Sequence, residues 1–366
     1  MEDNPQQTEA NPRQPGIVHI GQVGELLAIT LTNTFFQILT GGIYYFWGRT
    51  RKRRYLWSHT TYREERFEYT GTPWELFRGY VLAMGLFIPL VLGWQFVAEA
   101  FATELVIVAP GMLLFYGALG FLWGFAQFSS RRYLLSRTRW RSIRFGLMGS
   151  ALRHGGLAVG FGLLAILTLG LATPWLRNRL RAHMLFNAWF GDLRLTYTGR
   201  DAAMLPRFLV LWVYGLLAVI GAGSLQFFLL STITPGQIDP NGGFPPQILG
   251  ILVVYVGVLI PAIWAGWAWY LAGELRYVVQ HTTLGAIRLQ LDIPTWPFVW
   301  LFTVNIIAMG LSLGTAFPWV AIRTLRFVTK HFEMLDPLDV DNIAQHPAEV
   351  PAIGEGMAEA LDMGGI

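Results

Sequence analysis

Hydrophobic residues in this chain gather into seven long runs, and the polar stretches between them are dominated by arginine. Windows free of charged side chains cover roughly 26–48, 79–98, 105–128, 155–176, 208–230, 247–273 and 293–322. About twenty apolar residues in a helix match the ~30 Å hydrocarbon core of a bilayer, so each run has the length of a membrane segment. The pattern predicts an all-α polytopic integral membrane protein. Four runs (79–98, 105–128, 208–230 and 247–273) read as firm crossings. The other three share an interruption.

That interruption reads Leu39-Thr40-Gly41-Gly42 followed by Trp47 and Arg51. It recurs as Leu167-Thr168-Leu169-Gly170 with Trp175 and Arg179, and as Leu311-Ser312-Leu313-Gly314 with Trp319 and Arg323. The steps from Gly to Trp and from Trp to Arg are the same in all three. A second pattern follows five of the runs. Arg54-Tyr55, Thr60 and Arg66-Phe67 are matched by Arg132-Tyr133, Thr138 and Arg144-Phe145, and by Arg276-Tyr277, Thr282 and Arg288-Leu289. Ala182-His183 with Arg194-Leu195 is a degenerate copy, and Arg326-Phe327 with His331 stops short. Gap-free spacing of this kind marks an internal repeat. Each copy reads as a short amphipathic helix, a turn and a short strand, because 66–71 and 194–199 alternate polar and apolar residues and end in glycine.

This divides the chain into a disordered tail over 1–16, a membrane domain over 17–332 and an acidic disordered tail over 333–366. Within the membrane domain lie three repeats (17–71, 143–199 and 286–332) and two helical hairpins (75–130 and 205–275). Tail 1–16 lacks the order of a cleavable signal peptide, which makes the first run its own insertion signal.

Composition supports the membrane reading: 53% of residues are hydrophobic, 14% charged and the mean hydropathy is +0.42. The pI of about 9.4 would suggest nucleic acid in a soluble protein. Here the arginines flank apolar runs, so the expected partners are the lipid bilayer and anionic lipid headgroups, with no nucleic acid. The chain has no cysteine, which excludes disulfides, thiolate catalysis and cysteine-ligated metals.

Positive charge also bears on topology. The turn around 99–104 and the loop over 231–245 carry no Lys or Arg, so both are expected outside and the basic clusters inside. A single crossing by 155–176 or 293–322 cannot leave both of its basic flanks inside. Either the three interrupted runs re-enter and leave on the cytoplasmic side, or all seven cross and six arginines of 177–207 face out. The re-entrant reading is preferred.

The candidate chemistry is thin. Trp47 with Arg51 and Arg54, Trp175 with Arg179, and Trp319 with Arg323 and Arg326 are candidates for contact with a lipid headgroup or another anion. Their alternative reading is simple interfacial anchoring. His59, His281 and His331 occupy equivalent places and are candidate metal ligands by pseudo-symmetry. Asn187 and Arg137 stand in the other copies, and Asn and His both accept the left-handed backbone of a helix end, so a structural cap is preferred and no metal or other cofactor is expected. Gly120/Gly124, Gly156/Gly160 and Gly310/Gly314 permit close helix approach. Asn33 and Asn305 are expected to hydrogen-bond between helices. The apolar windows hold no carboxylate, and no hydrolase or phosphate-binding motif is present, so an enzyme or ion-coupled carrier is not expected.

The run Leu39–Arg51, Gly24-Glu25-Leu26-Leu27, Arg54-Tyr55 and the stretch Phe67-Glu68-Tyr69-Thr70-Gly71-Thr72-Pro73 with Glu75-Leu76-Phe77 together resemble the YjgN family of bacterial polytopic inner-membrane proteins. The resemblance extends over about 21–331. It implies a multi-pass location in the bacterial cytoplasmic membrane and brings no activity, cofactor or site residue. Two functions fit: uncoupled permeation or lipid handling, and a non-catalytic scaffold that recruits a protein partner through its basic face or acidic tail.

The re-entrant topology predicts a labelling pattern. Single cysteines at Thr198, Thr234 and Thr282 in this cysteine-free chain should react with an impermeant maleimide in intact cells only at Thr234. Labelling at Thr198 and Thr282 instead would mean that all seven runs cross.

Overall fold

Among the described residues, four helices are long and apolar enough to cross a bilayer: α3 (Pro73–Ala100), α4 (Leu105–Ser136), α7 (Leu205–Ser231) and the continuous span Gln247–Gln280. The last is built from α8 (Pro246–Leu252), a π-helical stretch (Val253–Leu259) and α9 (Ile260–Gln280). These assignments come from a computed structural model that describes residues 16–232, 246–336, 338 and 343–345. Most of the loop expected over 231–245, and most of both expected tails, lie outside the described residues.

The three interrupted runs are each broken into two helices. α1 (Val23–Leu39) turns into α2 (Tyr45–Ser58), α5 (Ala151–Leu167) into α6 (Thr173–Leu185), and α10 (Thr295–Leu311) into α11 (Phe317–Lys330). The first helix of each pair has 17 residues, about 25 Å at 1.5 Å per residue. The repeated motif is the turn itself. Gly42, Gly170 and Gly314 sit at φ +96, +89 and +87°, a region that glycine enters without a Cβ penalty. Their N–H groups donate to the carbonyls five residues back, of Gln37, Ala165 and Met309, ending the first helix as a Schellman-type cap. The hydroxyls of Thr40, Thr168 and Ser312 then accept from the N–H of Tyr44, Ala172 and Ala316, which starts the second helix.

Beyond the helices lie strands. β1 (Val18–His19) precedes α1. Four hairpins follow helix ends directly: β2 (Thr60–Tyr62) with β3 (Glu65–Tyr69) after α2, β4 (Thr138–Trp140) with β5 (Ile143–Leu147) after α4, β6 (Ala188–Phe190) with β7 (Leu193–Tyr197) after α6, and β8 (Thr282–Leu284) with β9 (Ile287–Leu291) after α9. β10 (Phe332–Met334) follows α11. Each hairpin has a strand of three, a two-residue turn and a strand of five. The turns Arg63-Glu64 and Arg141-Ser142 take positive φ at both positions, the geometry whose twist matches the flanking strands.

The strands form one antiparallel ten-stranded sheet in sequence order, β1 to β10. Between hairpins the register is regular: Phe67 faces Trp140, Phe145 faces Phe190, Leu195 faces Leu284, and Leu291 faces Phe332. The sheet curls so far that Tyr62, Trp140, Phe190, Leu284 and Ile287 share one core. Its two ends meet, with the Phe332 carbonyl 3.3 Å from where a Cβ on Gly16 would stand. α1 packs on α11 in a cluster of Leu26, Ala321 and Ile322 that Leu56 of α2 joins. An all-α description is therefore corrected: the expected short strands add to one another because each hairpin leaves an edge that the next one covers.

The repeating residues hold this ring. Linkers from a strand to the next helix are held by these side chains, those at Gly21 and Gly71 from two sides. The guanidinium of Arg54 donates to the Gly71 carbonyl at 3.0 Å, Arg276 to Thr295 Oγ1 at 2.8 Å, and Arg326 to the Gly21 carbonyl at 2.6 Å; Arg132 reaches Gly149 in the same way. From the other side, Tyr133 donates to Glu75, Tyr55 to the Gln22 carbonyl, and Tyr277 accepts from the Arg200 N–H. The arrangement thus runs in five units around the ring, and the two helical hairpins supply the units at α4 and α9. Close helix approach occurs at Gly124, where a Cβ would stand 2.5 Å from that of Ala158, whereas Gly156, Gly160 and Gly310 have nothing within 4 Å.

The seam between β1 and β2 buries His19, which is 5% exposed. Its Nδ1 lies 3.0 Å from Thr60 Oγ1, and its Nε2 has no partner among the described residues. Burial, helped by Arg326 and His59, pushes its pKa down to about 4. The folded chain holds His19 neutral while the unfolded chain takes up a proton below pH about 6.5. Its contribution is therefore complete above pH 6.5 and lost as pH falls to 4, by up to about 3 kcal/mol. The midpoint of thermal unfolding in detergent should fall between pH 7 and pH 4.5, and His19→Asn should flatten that dependence.

Candidate functional site

The residues expected at an anion site are distributed around the ring, and most are engaged by the protein. Arg54 and Arg326 are the linker ties just described. Arg51 reaches Asn33 Oδ1 at 3.5 Å and the Tyr44 hydroxyl at 3.3 Å, while Asn33 donates to the Gly48 carbonyl. Arg323 mirrors this, 3.4 Å from Asn305 Oδ1 and 4.8 Å over the Trp319 ring. Asn305 bonds Thr324 at 2.9 Å. Both asparagines are buried and join the two helices of their pairs. In the second copy Phe161 stands where the asparagine would be, and Arg179 pairs instead with Asp201. Trp47 is half-buried and stacks on Tyr44; Trp175 is half-buried beside Pro174.

His59, His281 and His331 remain apart. Each turns its Nδ1 onto the carbonyl four residues back, Tyr55 at 2.8 Å, Tyr277 at 2.8 Å and Phe327 at 2.7 Å. Each also lies against that same aromatic ring. Asn187 makes the equivalent bond to His183. The backbone at these caps is not left-handed: φ is −104, −99 and −106°. The side chain, rather than an inverted backbone, satisfies the exposed carbonyl. Among the described residues, no group of three or more His, Cys, Asp or Glu is placed to hold a metal ion.

Sequence reading missed a buried charge cluster. Glu274 lies on α9, one residue beyond the apolar window that ends at Gly273, and is 3% exposed. It accepts from Arg177 Nε at 2.7 Å, from Arg177 Nη2 at 2.5 Å and from Arg181 Nη2 at 2.9 Å. The Tyr270 hydroxyl stands 3.5 Å away and Trp267 covers the Arg177 guanidinium. Bidentate pairing at this depth ties the basic helix α6 to the long helix α9. A signal existed: Arg177 and Arg181 are four apart on one helix face, which calls for one shared acidic partner.

A second missed group joins α4, α5 and α6. His154, wholly buried, lies 3.1 Å from His183 between their Nδ1 atoms and 3.3 Å from Gln127 Oε1. Burial and Arg153 hold His183 below its ordinary pKa. The Gln127 oxygen can only accept, so His154 Nε2 donates to it; a neutral His154 ring then accepts at Nδ1 from His183.

Alongside, α4 and α5 flank an apolar groove of about 380 Å³. Met112, Tyr116, Gly120, Val159, Leu163 and Ile166 line it. Its lining is apolar apart from the Tyr116 hydroxyl.

Comparison with known proteins agrees with this picture. The family described as "Bacterial protein of unknown function (DUF898)" matches residues 15–360. The chain belongs to that family. The inner membrane protein YjgN of Salmonella typhimurium (strain LT2) is 22% identical, over 89% of this chain and 90% of that protein. No solved structure matches. With four helices long enough to span, this family member is a multi-pass protein of the bacterial inner membrane.

Removing Glu274 leaves two guanidinium groups facing one another without a carboxylate. Glu274→Ala should cost about 3–5 kcal/mol, read as a lower thermal midpoint in detergent. Arg177→Met combined with Glu274→Leu should recover part of that loss.

Proposed function

We propose that this protein handles phospholipid at the inner membrane without catalysis, metal or ion coupling. The carrying observation is the state of the three helix-pair tips. Ile38 and Leu39 are 78 and 69% exposed, Leu167 and Leu169 82 and 78%, and Leu311 and Leu313 84 and 93%. Bare leucines at the ends of three helices, about 25 Å from a basic strand layer, suit insertion into the acyl region. Both arms of each pair return to the same layer, which supports re-entry from the cytoplasmic side. The broken backbone at each tip is closed by its own cap, as irregular backbone at membrane depth requires.

The long helices favour lipid over a solute pathway. A pore needs a wall of buried protein, yet in their most apolar windows only 0–17% of the residues are buried. What the monomer offers instead is lateral surface, with the α4–α5 groove as a place to hold a chain. The basic helices α2, α6 and α11 lie where anionic headgroups would meet them. Their arginines mainly position the helices, and the surplus charge attracts the headgroup layer.

Reconstitution tests this. Vesicles of phosphatidylethanolamine and phosphatidylglycerol carrying the protein and a fluorescent phospholipid should exchange that lipid between leaflets faster than empty vesicles. Gly120→Trp, which fills the groove, should reduce the rate at least tenfold. Release of a trapped water-soluble dye should not change; dye release without lipid exchange would instead favour permeation.

A further inference from the structure

The described part of the C-terminal segment does not leave the protein; it crosses the concave face of the strand ring. Leu338 is 4% exposed and joins the core of Tyr62, Trp140, Phe190, Leu284 and Ile287. Arg63 Nη1 donates to the Leu338 carbonyl at 3.1 Å. Asp336 accepts two guanidinium bonds from Arg288, both 3.1 Å, and one from the Arg288 N–H at 2.9 Å. Farther on, Ile343 packs where Gly191 leaves room, and Gln345 Oε1 accepts from the Arg144 N–H at 3.0 Å. The segment therefore touches all four strand hairpins.

We propose that this face is a peptide-docking site, and that Asp336, Leu338 and residues 343–345 mark its resident, exchangeable strap. The occupant it fits in trans is an acidic, leucine-containing segment of another protein. Three features argue for this. Charge is complementary: residues 333–345 hold Glu333, Asp336, Asp339 and Asp341 and no Lys or Arg, while the guanidinium groups of Arg63 and Arg288 donate to the segment directly. The anchor is a single side chain, Leu338, seated where the core of the ring would otherwise be open to water. The remaining hold is light, since the side chains of the Arg288–Asp336 pair are 67 and 32% exposed and exposed pairs contribute little. A strap of this kind keeps its place through high effective concentration, so a stronger free ligand displaces it. The leucine supplies affinity, and the surrounding arginines reject basic or neutral segments.

The test uses the full chain in nanodiscs, with a fluorescent peptide of residues 333–346 as probe. Wild type, with its strap seated, should bind the probe weakly. Leu338→Asp and Asp336→Arg, two independent ways of loosening the strap while leaving the face intact, should each bind it at least tenfold more tightly. A probe carrying Leu338→Asp should not bind, which separates docking from adhesion to a misfolded chain. Adding Arg288→Asp to the Leu338→Asp chain should weaken that binding, since it replaces the attraction for Asp336 by repulsion. If neither loosened chain binds better than wild type, or if both probes bind alike, the face is no docking site. Wild-type dimers that vanish in Leu338→Asp would overturn the foreign partner in favour of the strap of a second copy.

Discussion

Backbone hydrogen bonding across neighbouring hairpins is the constraint on which the molecule depends. A strand hairpin of three and five residues has too little surface to stand alone in water. Here each is completed only when the next hairpin covers its free edge. Because each of the four hairpins, and β10 likewise, begins within three residues of a helix end, this pairing forces five helix ends into one layer. The membrane segments are thus organised from outside the membrane as well as by their own packing, which is most extensive between α4 and α5.

The arginine ties act at the weak point of that scheme. A linker between a strand and a helix has carbonyls that neither element satisfies, and a guanidinium presents several donors in a fixed plane. Arg54, Arg132, Arg276 and Arg326 each reach such a linker or the first residue beyond it. The degenerate unit lacks the arginine at Ala182. There Asn178 bonds Asp201 at 2.7 Å and the Tyr197 hydroxyl donates to Asn178 Oδ1, so the linker is held by neutral groups as well as by Arg179. The buried Glu274 with Arg177 and Arg181 belongs to this same unit. Loss of one tie is accompanied there by the deepest ion cluster of the described chain.

Sequence reading recovered the elements better than their assembly. The Leu-Thr-x-Gly turns, the helix-capping histidines and the strand copies were legible because each is a local device. In those, the partner of a hydroxyl, an imidazole or a glycine N–H lies within six residues. Arg54 and Arg326 looked like ligand contacts because an arginine beside an apolar run has the same appearance whether it meets a phosphate or a carbonyl far along the chain. Glu274 escaped because its partners are 93 and 97 residues away. Neither groove nor strap leaves a local trace: one needs two helices at a chosen distance, the other a whole ring beneath it.

The chain by itself therefore determined its solvent and its periodicity. Runs of about twenty apolar residues have only a bilayer to enter, and equal spacing of Gly, Trp, Arg and His dictates equal local structures. Only the tertiary structure decided that three runs fold back on themselves, that five units share one curled sheet, and that Leu338 closes its centre. Hydropathy records what a residue avoids. Which other residue it then meets depends on strand register and on the angle at which a sheet closes, and these are set by all ten strands together.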